Sequence, residues 1–291
     1  MVQDRTLGSR LFGVVNFALL AIIALVTVLP FLHVVAGSFT TSAEMAANKF
    51  ILFPREWSFE AYRFVFSTNT IFRAMAVSIG ITVAGTLFSM LVTAMMAYGL
   101  ARRDLDGRKI VMFLVVFTML FQGGLIPTFL VVKELGLIDK YAALVLPLAI
   151  SAFNMIILRN FFQNIPDGLE ESAKIDGCND FGIFFRIVLP LSMPAIATIS
   201  LFYAVTYWNT YLSAILYLND SKMWPIQVLL RQIVVLASGM DYDSSLDGVV
   251  PPPDQAVKMA VIVVATVPIL AVYPFLQKHF AKGALLGSIK G

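Results

Sequence analysis

The sequence predicts an all-α, polytopic membrane protein with about six transmembrane helices, and three observations carry that prediction. Of 291 residues, 59% are hydrophobic and 13% charged, against about 25% charged in a soluble domain. Apolar runs long enough to cross about 30 Å of hydrocarbon lie at 11–36, 72–100, 110–132, 141–163, 191–216 and 256–276. Lys and Arg gather near the ends of those runs rather than along one basic stripe.

The first run, Leu11 to Phe39, follows Arg5 and Arg10 as a secretory leader would. A leader's apolar region is only about 7–15 residues, so this run is read as a retained helix. The segment 38–71 then carries Trp57, Phe59, Tyr62, Phe64 and Phe66 among charges; it is expected to lie along the membrane surface or to meet a partner. The third run contains Gly123, Gly124 and Pro127, and the sixth Pro268 and Pro274, so a kink or interruption is expected in each. Segment 217–255 holds Trp224-Pro225, then Asp241, Asp243 and Asp247, then Pro251-Pro252-Pro253; it reads as a solvated loop or as a docking place for an extracellular partner. One membrane domain, 1–291, accounts for the chain.

Counting Lys and Arg on alternate sides gives twelve against nine, with the short segment from Arg102 through Arg103 and Arg108 to Lys109 the densest. Cytoplasmic loops carry the excess. Both termini and the loop 164–190 are therefore expected in the cytoplasm, with 38–71 and 217–255 outside.

Several function classes drop out. The single Cys178 excludes an internal disulfide framework. A net charge of +3 without a basic stripe argues against nucleic acid. His33 and His279 stand far apart with no ligand companions at metal spacing, so no metal site is expected. The sequence has no Gly-x-x-x-x-Gly-Lys-[Ser/Thr] phosphate loop and no triad. This chain is expected to bind no cofactor and to perform no catalysis.

The most informative stretch runs from Asn164 to Pro190. Asp167 is expected as the N-cap, with Glu170 three residues on in the manner of a capping box. Gly177 supplies a stop, and Asn179-Asp180 starts a second helical segment that runs to Leu189-Pro190. Such a helix–turn–helix is either a plain connector between two spans or a docking element, and the physics of the loop leaves both open.

Glu171-Ser172-Ala173, then Asp176-Gly177, then Ile187-Val188-Leu189-Pro190 resembles the EAA loop of bacterial ATP-binding-cassette (ABC) importer permeases, with Ser172 where the middle Ala is usual. The stretches Gly123–Leu130, Tyr207–Tyr211 and Lys282–Gly291 are similar to the carbohydrate, maltose-permease-related branch. Within it they are nearest the lipoprotein/polygalacturonan-type permeases for polysaccharide-derived oligosaccharides.

That resemblance implies a type I importer permease fold in the bacterial plasma membrane. It also implies a second homologous permease, an ATPase dimer binding ATP and Mg, an extracellular solute-binding protein and a carbohydrate substrate. Glu170, Glu171, Ser172, Ala173, Asp176, Gly177, Ile187, Leu189 and Pro190 would form the coupling helix and its continuation against the ATPase. Lys282, Gly283 and Lys290 would reach toward the ATPase, or else hold a basic end at anionic lipid.

Tyr203, Tyr207, Trp208, Asn209 and Tyr211 form a polar aromatic group in the fifth run. They suit a sugar path, because flat apolar faces match sugar C–H surfaces while polar tips and the Asn209 amide bond hydroxyls. An interfacial aromatic belt with Asn209 bonding between helices is the alternative. Arg73, Lys133, Lys140, Arg231 and Lys258 near the outer side would suit an anionic oligosaccharide. The rivals are a self-contained channel or secondary transporter, disfavoured because the spans are nearly bare of charge, and a membrane enzyme, for which no convergent catalytic group is evident.

Overall fold

A computed structural model describes residues 7–48, 50–67, 69–236 and 255–287, with the backbone alone described at 7, 10, 235, 236 and 273–287. Among the described residues the fold is helical, and the β features are confined to an isolated bridge, Thr40 to Trp57. By contacts the chain forms two compact units, 1–69 with 230–266, and 70–229 with 267–291.

In the first unit, helix α1 (Leu7–Ser38) contains, within Leu11–Ser38, an 18-residue window of mean hydropathy 2.6, and no part of that window is buried within the chain. A helix apolar on all sides needs lipid or another subunit as its surroundings. Its end is held by local contacts. The amide of Ile51 donates to His33 Nδ1 at 3.0 Å, and the imidazole stacks on Phe50. Phe39 packs on Trp57, Phe59 and Tyr62, while the Tyr62 and Ser38 hydroxyls bond at 2.8 Å. Three aromatics of segment 38–71 thus close on the end of α1. Helix α2 (Ser42–Ala47) is capped by Thr41, and the Glu44 carboxylate receives the amides of Arg55 and Glu56. Helix α3 (Glu60–Ser67) buries Ala61 and Val65.

The second unit is built on α4 (Asn69–Ala101), whose buried positions Ile71, Ala74, Ser78, Ile81, Gly85, Ser89, Thr93, Ala97 and Leu100 recur every three to four residues on one face. Helices α5 (Arg108–Leu120) and α6 (Leu125–Glu134) meet at 117°. The expected kink in the third run is therefore a full break, because Gly124 sits at φ +84 in a conformation no helix continues through. Helix α7 (Ala142–Val145) ends in a 3₁₀ turn, Leu146–Leu148, and bends 54° into α8 (Ala152–Phe162). That break was not expected, although Pro147 lacks an amide proton and Ser151 caps the new helix by accepting from the amide of Asn154.

Next come α9 (Asp167–Ile175) and α10 (Asp180–Ile183), a π-helical stretch Phe184–Val188, α11 (Leu189–Leu191) and α12 (Met193–Trp208). The 180–191 segment and α12 meet at 85°. Helix α13 (Leu212–Tyr217), a 3₁₀ turn Ser221–Met223, α14 (Ile226–Leu236) and α15 (Gln255–Gly287) complete the chain. Helix α15 runs unbroken through Pro268 and Pro274, so the interruption allowed for there does not occur. Among the described residues three helices are long and apolar enough to span a membrane, and counting each bent pair as one span gives up to six.

Candidate functional site: the loop from residue 164 to 190

Helix α9 begins with Asp167 as its first helical residue and Pro166 as its N-cap. The sequence expectation of Asp167 as the cap is thus off by one position. Pro166 cannot continue a helix backward, and Asp167 and Glu170 place negative charge against the first-turn amides. The stop is as expected. Gly177 lies at φ +81, its amide donates to Lys174 O at 3.0 Å, and the amide of Cys178 donates to Ala173 O at 2.9 Å, which is a Schellman closure. Asn179 Oδ1 then accepts from the amide of Gly182 at 2.8 Å and starts α10.

The two faces of α9 differ. Ala173 is buried and Glu170 half-buried against the body of the unit. Gly168, Ser172 and Ile175, one helical face at spacings of four and three, are exposed, and Ile175 is 86% accessible. The Ser172 hydroxyl donates to Gly168 O at 2.7 Å, so the residue presents little more than a methylene to a partner. Its place among small residues follows from that bond. Glu171 is exposed and makes no ion pair among the described residues. Beyond the turn, Phe184 and Val188 are buried while Ile187 and Leu189 are half-buried and Pro190 exposed.

Beneath α9 lies a cleft of about 280 Å³. Tyr98 and Phe162 form its floor, and Arg102, Arg103 and Lys174 face Asp104, Asp167, Glu170 and Glu171 around it. Arg102 donates to both Asp104 (2.6 Å) and Asp180, and Arg103 approaches Asp167 at 3.7 Å. The hydrogen bond from Arg102 is the main reason the Asp104 carboxyl is held down at about 2. Burial pushes the Glu170 carboxyl above its ordinary 4.5, against the pull of Arg102 and Lys174. The last carbonyls of α4, and that of Arg102 just beyond it, are also satisfied by cationic or amide donors: Arg159 Nε to Leu100 O at 3.0 Å, Gln163 Nε2 to Ala101 O at 3.4 Å, and Arg108 Nη1 to Arg102 O at 3.0 Å. Sequence reasoning used the 102–109 segment only for orientation. Its alternation of Arg and Asp was a signal of paired charges, but the partner Asp180 is 78 residues away.

The aromatic group of the fifth run separates into two sets. Tyr203 and Tyr207 are 2% and 1% accessible. The Tyr203 hydroxyl bonds Thr93 at 2.6 Å and accepts the amide of Ser151 at 2.9 Å. That of Tyr207 bonds Ser89 at 2.7 Å and donates to Val145 O at 3.3 Å. Gly85 makes room for the second ring, since a Cβ there would lie 2.9 Å from it. These two side chains bolt α12 to α4 and to the break between α7 and α8. Trp208 is also buried, whereas Asn209 is exposed and Tyr211 half-buried at the interruption between α12 and α13. The Asn209 amide donates to Val205 O at 2.9 Å, leaving its carbonyl oxygen accessible. Lys282 and Gly283 lie on the backbone of α15, but their side-chain surroundings, and Lys290 altogether, fall outside the described residues. No group of three or more His, Cys, Asp or Glu residues fit to hold a metal occurs among the described residues.

Residues 107–285 match the family described as binding-protein-dependent transport system inner membrane component. The polygalacturonan/rhamnogalacturonan transport system permease protein YtcP of Bacillus subtilis (strain 168) is 67% identical over 284 residues, covering 97% of this chain and 99% of the relative. Protein LplC of the same organism is 55% identical over 291 residues, covering 99% and 98%. A solved structure of a bacterial ABC transporter involved in the import of the acidic polysaccharide alginate contains a chain that superposes with a TM-score of 0.88 at 32% identity. That match covers 96% of this chain and all of the other.

Proposed function

This chain belongs to the family of binding-protein-dependent transport system inner membrane components, and on that premise we propose that it is the permease subunit of a carbohydrate ABC importer. It pairs with a second permease, receives cargo from an extracellular solute-binding protein and is driven by ATP hydrolysed, with Mg, on a separate ATPase dimer. Both termini and the 164–190 loop lie in the cytoplasm.

The observation that carries the reading is the exposed face of α9. Gly168 and Ser172 allow close approach, Ile175 stands out as an apolar knob, and Glu171 makes no ion pair among the described residues. A solvated connector gains nothing from an apolar side chain 86% accessible at its tip, whereas a helix seated in a partner groove buries it. Gly177 fixes the turn behind this face, since an L-residue at its φ of +81 costs about 1–2 kcal/mol.

The likeness to relatives named for polygalacturonan, rhamnogalacturonan and alginate supports acidic oligosaccharides as the cargo class. Exposed Asn209 carries the sugar-path assignment in this subunit, because Tyr203 and Tyr207 have their hydroxyls engaged between helices. In proteoliposomes holding the full transporter, Glu171→Ala with Gly177→Val is expected to abolish oligosaccharide uptake while nucleotide still binds the ATPase. Wild-type uptake by that double variant rejects the coupling assignment.

A further inference from the structure

We propose that Arg102 is a positioning residue that latches the start of α10 to the inner end of α4, so that displacement of α9 is delivered to the α4 span instead of being absorbed in the π-helical stretch and the bend at Ser192. This inference rests on the coupling role proposed above for α9.

The turn between α9 and α10 is a short hinge, with left-handed Gly177 at its centre. Helix α10 is a single turn followed by a π-helical stretch and an 85° bend at Ser192. A push on α9 conveyed through backbone alone meets three deformable places before it reaches α12. The Arg102 guanidinium offers a shorter route. It holds Asp180, the first residue of α10, and Asp104 at the same time, and it is largely shielded, with a side-chain accessibility of 17%.

Its own backbone is anchored in turn, because Arg102 O accepts from Arg108 at the start of α5. The two preceding carbonyls are held by Arg159 and Gln163 at the end of α8. An apolar contact lies alongside: the Tyr98 ring of α4 packs at 5.3 Å on Phe184, the first residue of the π-helical stretch. Two contacts thus tie the end of α4 and the residue just beyond it to the continuous 180–188 segment, and one of them is a forked guanidinium that fixes orientation as well as distance.

Partly exposed ion pairs contribute little to folding, so loss of the latch should register in coupling and scarcely in assembly. Arg102→Gln and Asp180→Asn are made singly and together in the complete transporter, and oligosaccharide taken up per ATP hydrolysed is measured beside the amount of ATPase that co-purifies. Each single variant is expected to keep its ATPase and to lower uptake per ATP by about two- to thirtyfold. The double variant is expected to fall no further than the more severe single one, because the Arg102–Asp180 contact is already lost in each. Unchanged uptake per ATP in either single variant overturns the latch, and so do losses that multiply in the double variant. Loss of the ATPase from the complex also overturns it, since the contact is then needed for assembly. Glu171→Ala in the same preparation separates the two ideas. If it uncouples and Arg102→Gln does not, the latch alone fails; if neither uncouples, the coupling role of α9 fails with it.

Discussion

Replacing Tyr203 by Phe removes one oxygen from the interior of the bundle while keeping the ring, so it tests a hydrogen bond without opening a cavity. The hydroxyl has two partners, Thr93 on α4 at 2.6 Å and the amide of Ser151 at the head of α8 at 2.9 Å. Thr93 can turn its hydroxyl to a carbonyl in its own helix, so its share is the small hydrogen-bond value measured inside membranes, about 0.6 kcal/mol. Ser151 has no such escape, since its amide sits at a helix break with no preceding carbonyl in register. An unmet buried amide costs about 1–3 kcal/mol. The variant is therefore expected to lose about 1–3 kcal/mol in graded SDS unfolding of the purified chain, with most of it surviving in a Thr93→Val background. A change below about 0.3 kcal/mol, the scatter of independent sites, refutes the bolt. An unchanged unfolding curve together with a raised KM for sugar would instead place Tyr203 in contact with cargo.

Two further outcomes follow from the loop. Ser172→Leu should strip the ATPase from the purified complex far more than Ser172→Ala does, because the wild-type hydroxyl is folded back onto Gly168 O and leaves little bulk at that point of the face; equal retention in pull-downs contradicts close docking. Glu170→Gln should raise stability at neutral pH. Burial lifts the Glu170 carboxyl above 4.5 in the folded chain, so its favourable contribution is present below about pH 4.5 and is lost as pH rises through the folded value. Thermal midpoints of the two proteins should converge at pH 4 and separate at pH 7, and a separation of opposite sign defeats the argument.

Much of this protein is legible along the chain. Apolar length places the spans, because nothing but lipid or another membrane helix can accept runs such as Leu11–Ser38. Gly177 and Asn179 mark a stop and a start that depend only on their own dihedrals and side chains. The bend at Pro147 was written there too, in a missing donor that was overlooked. The exposed face of α9 follows from helical spacing once its first residue is fixed, and the error of one position at Asp167 does not alter which residues share that face.

What tertiary structure alone decided is which distant polar groups meet. Tyr203 and Tyr207 look like sugar-binding aromatics in sequence because their chemistry suits both cargo and helix contact. Only the placement of α4, with hydroxyls at Ser89 and Thr93 and space at Gly85, commits those two hydroxyls to packing. Arg102 is likewise one more loop cation until α10 brings Asp180 to it. The physical reason is the same in both cases. Span length and turn chemistry are set by neighbours in the chain, whereas the partner of a hydroxyl or a guanidinium is set by which helix faces pack together, and that is a property of the whole bundle.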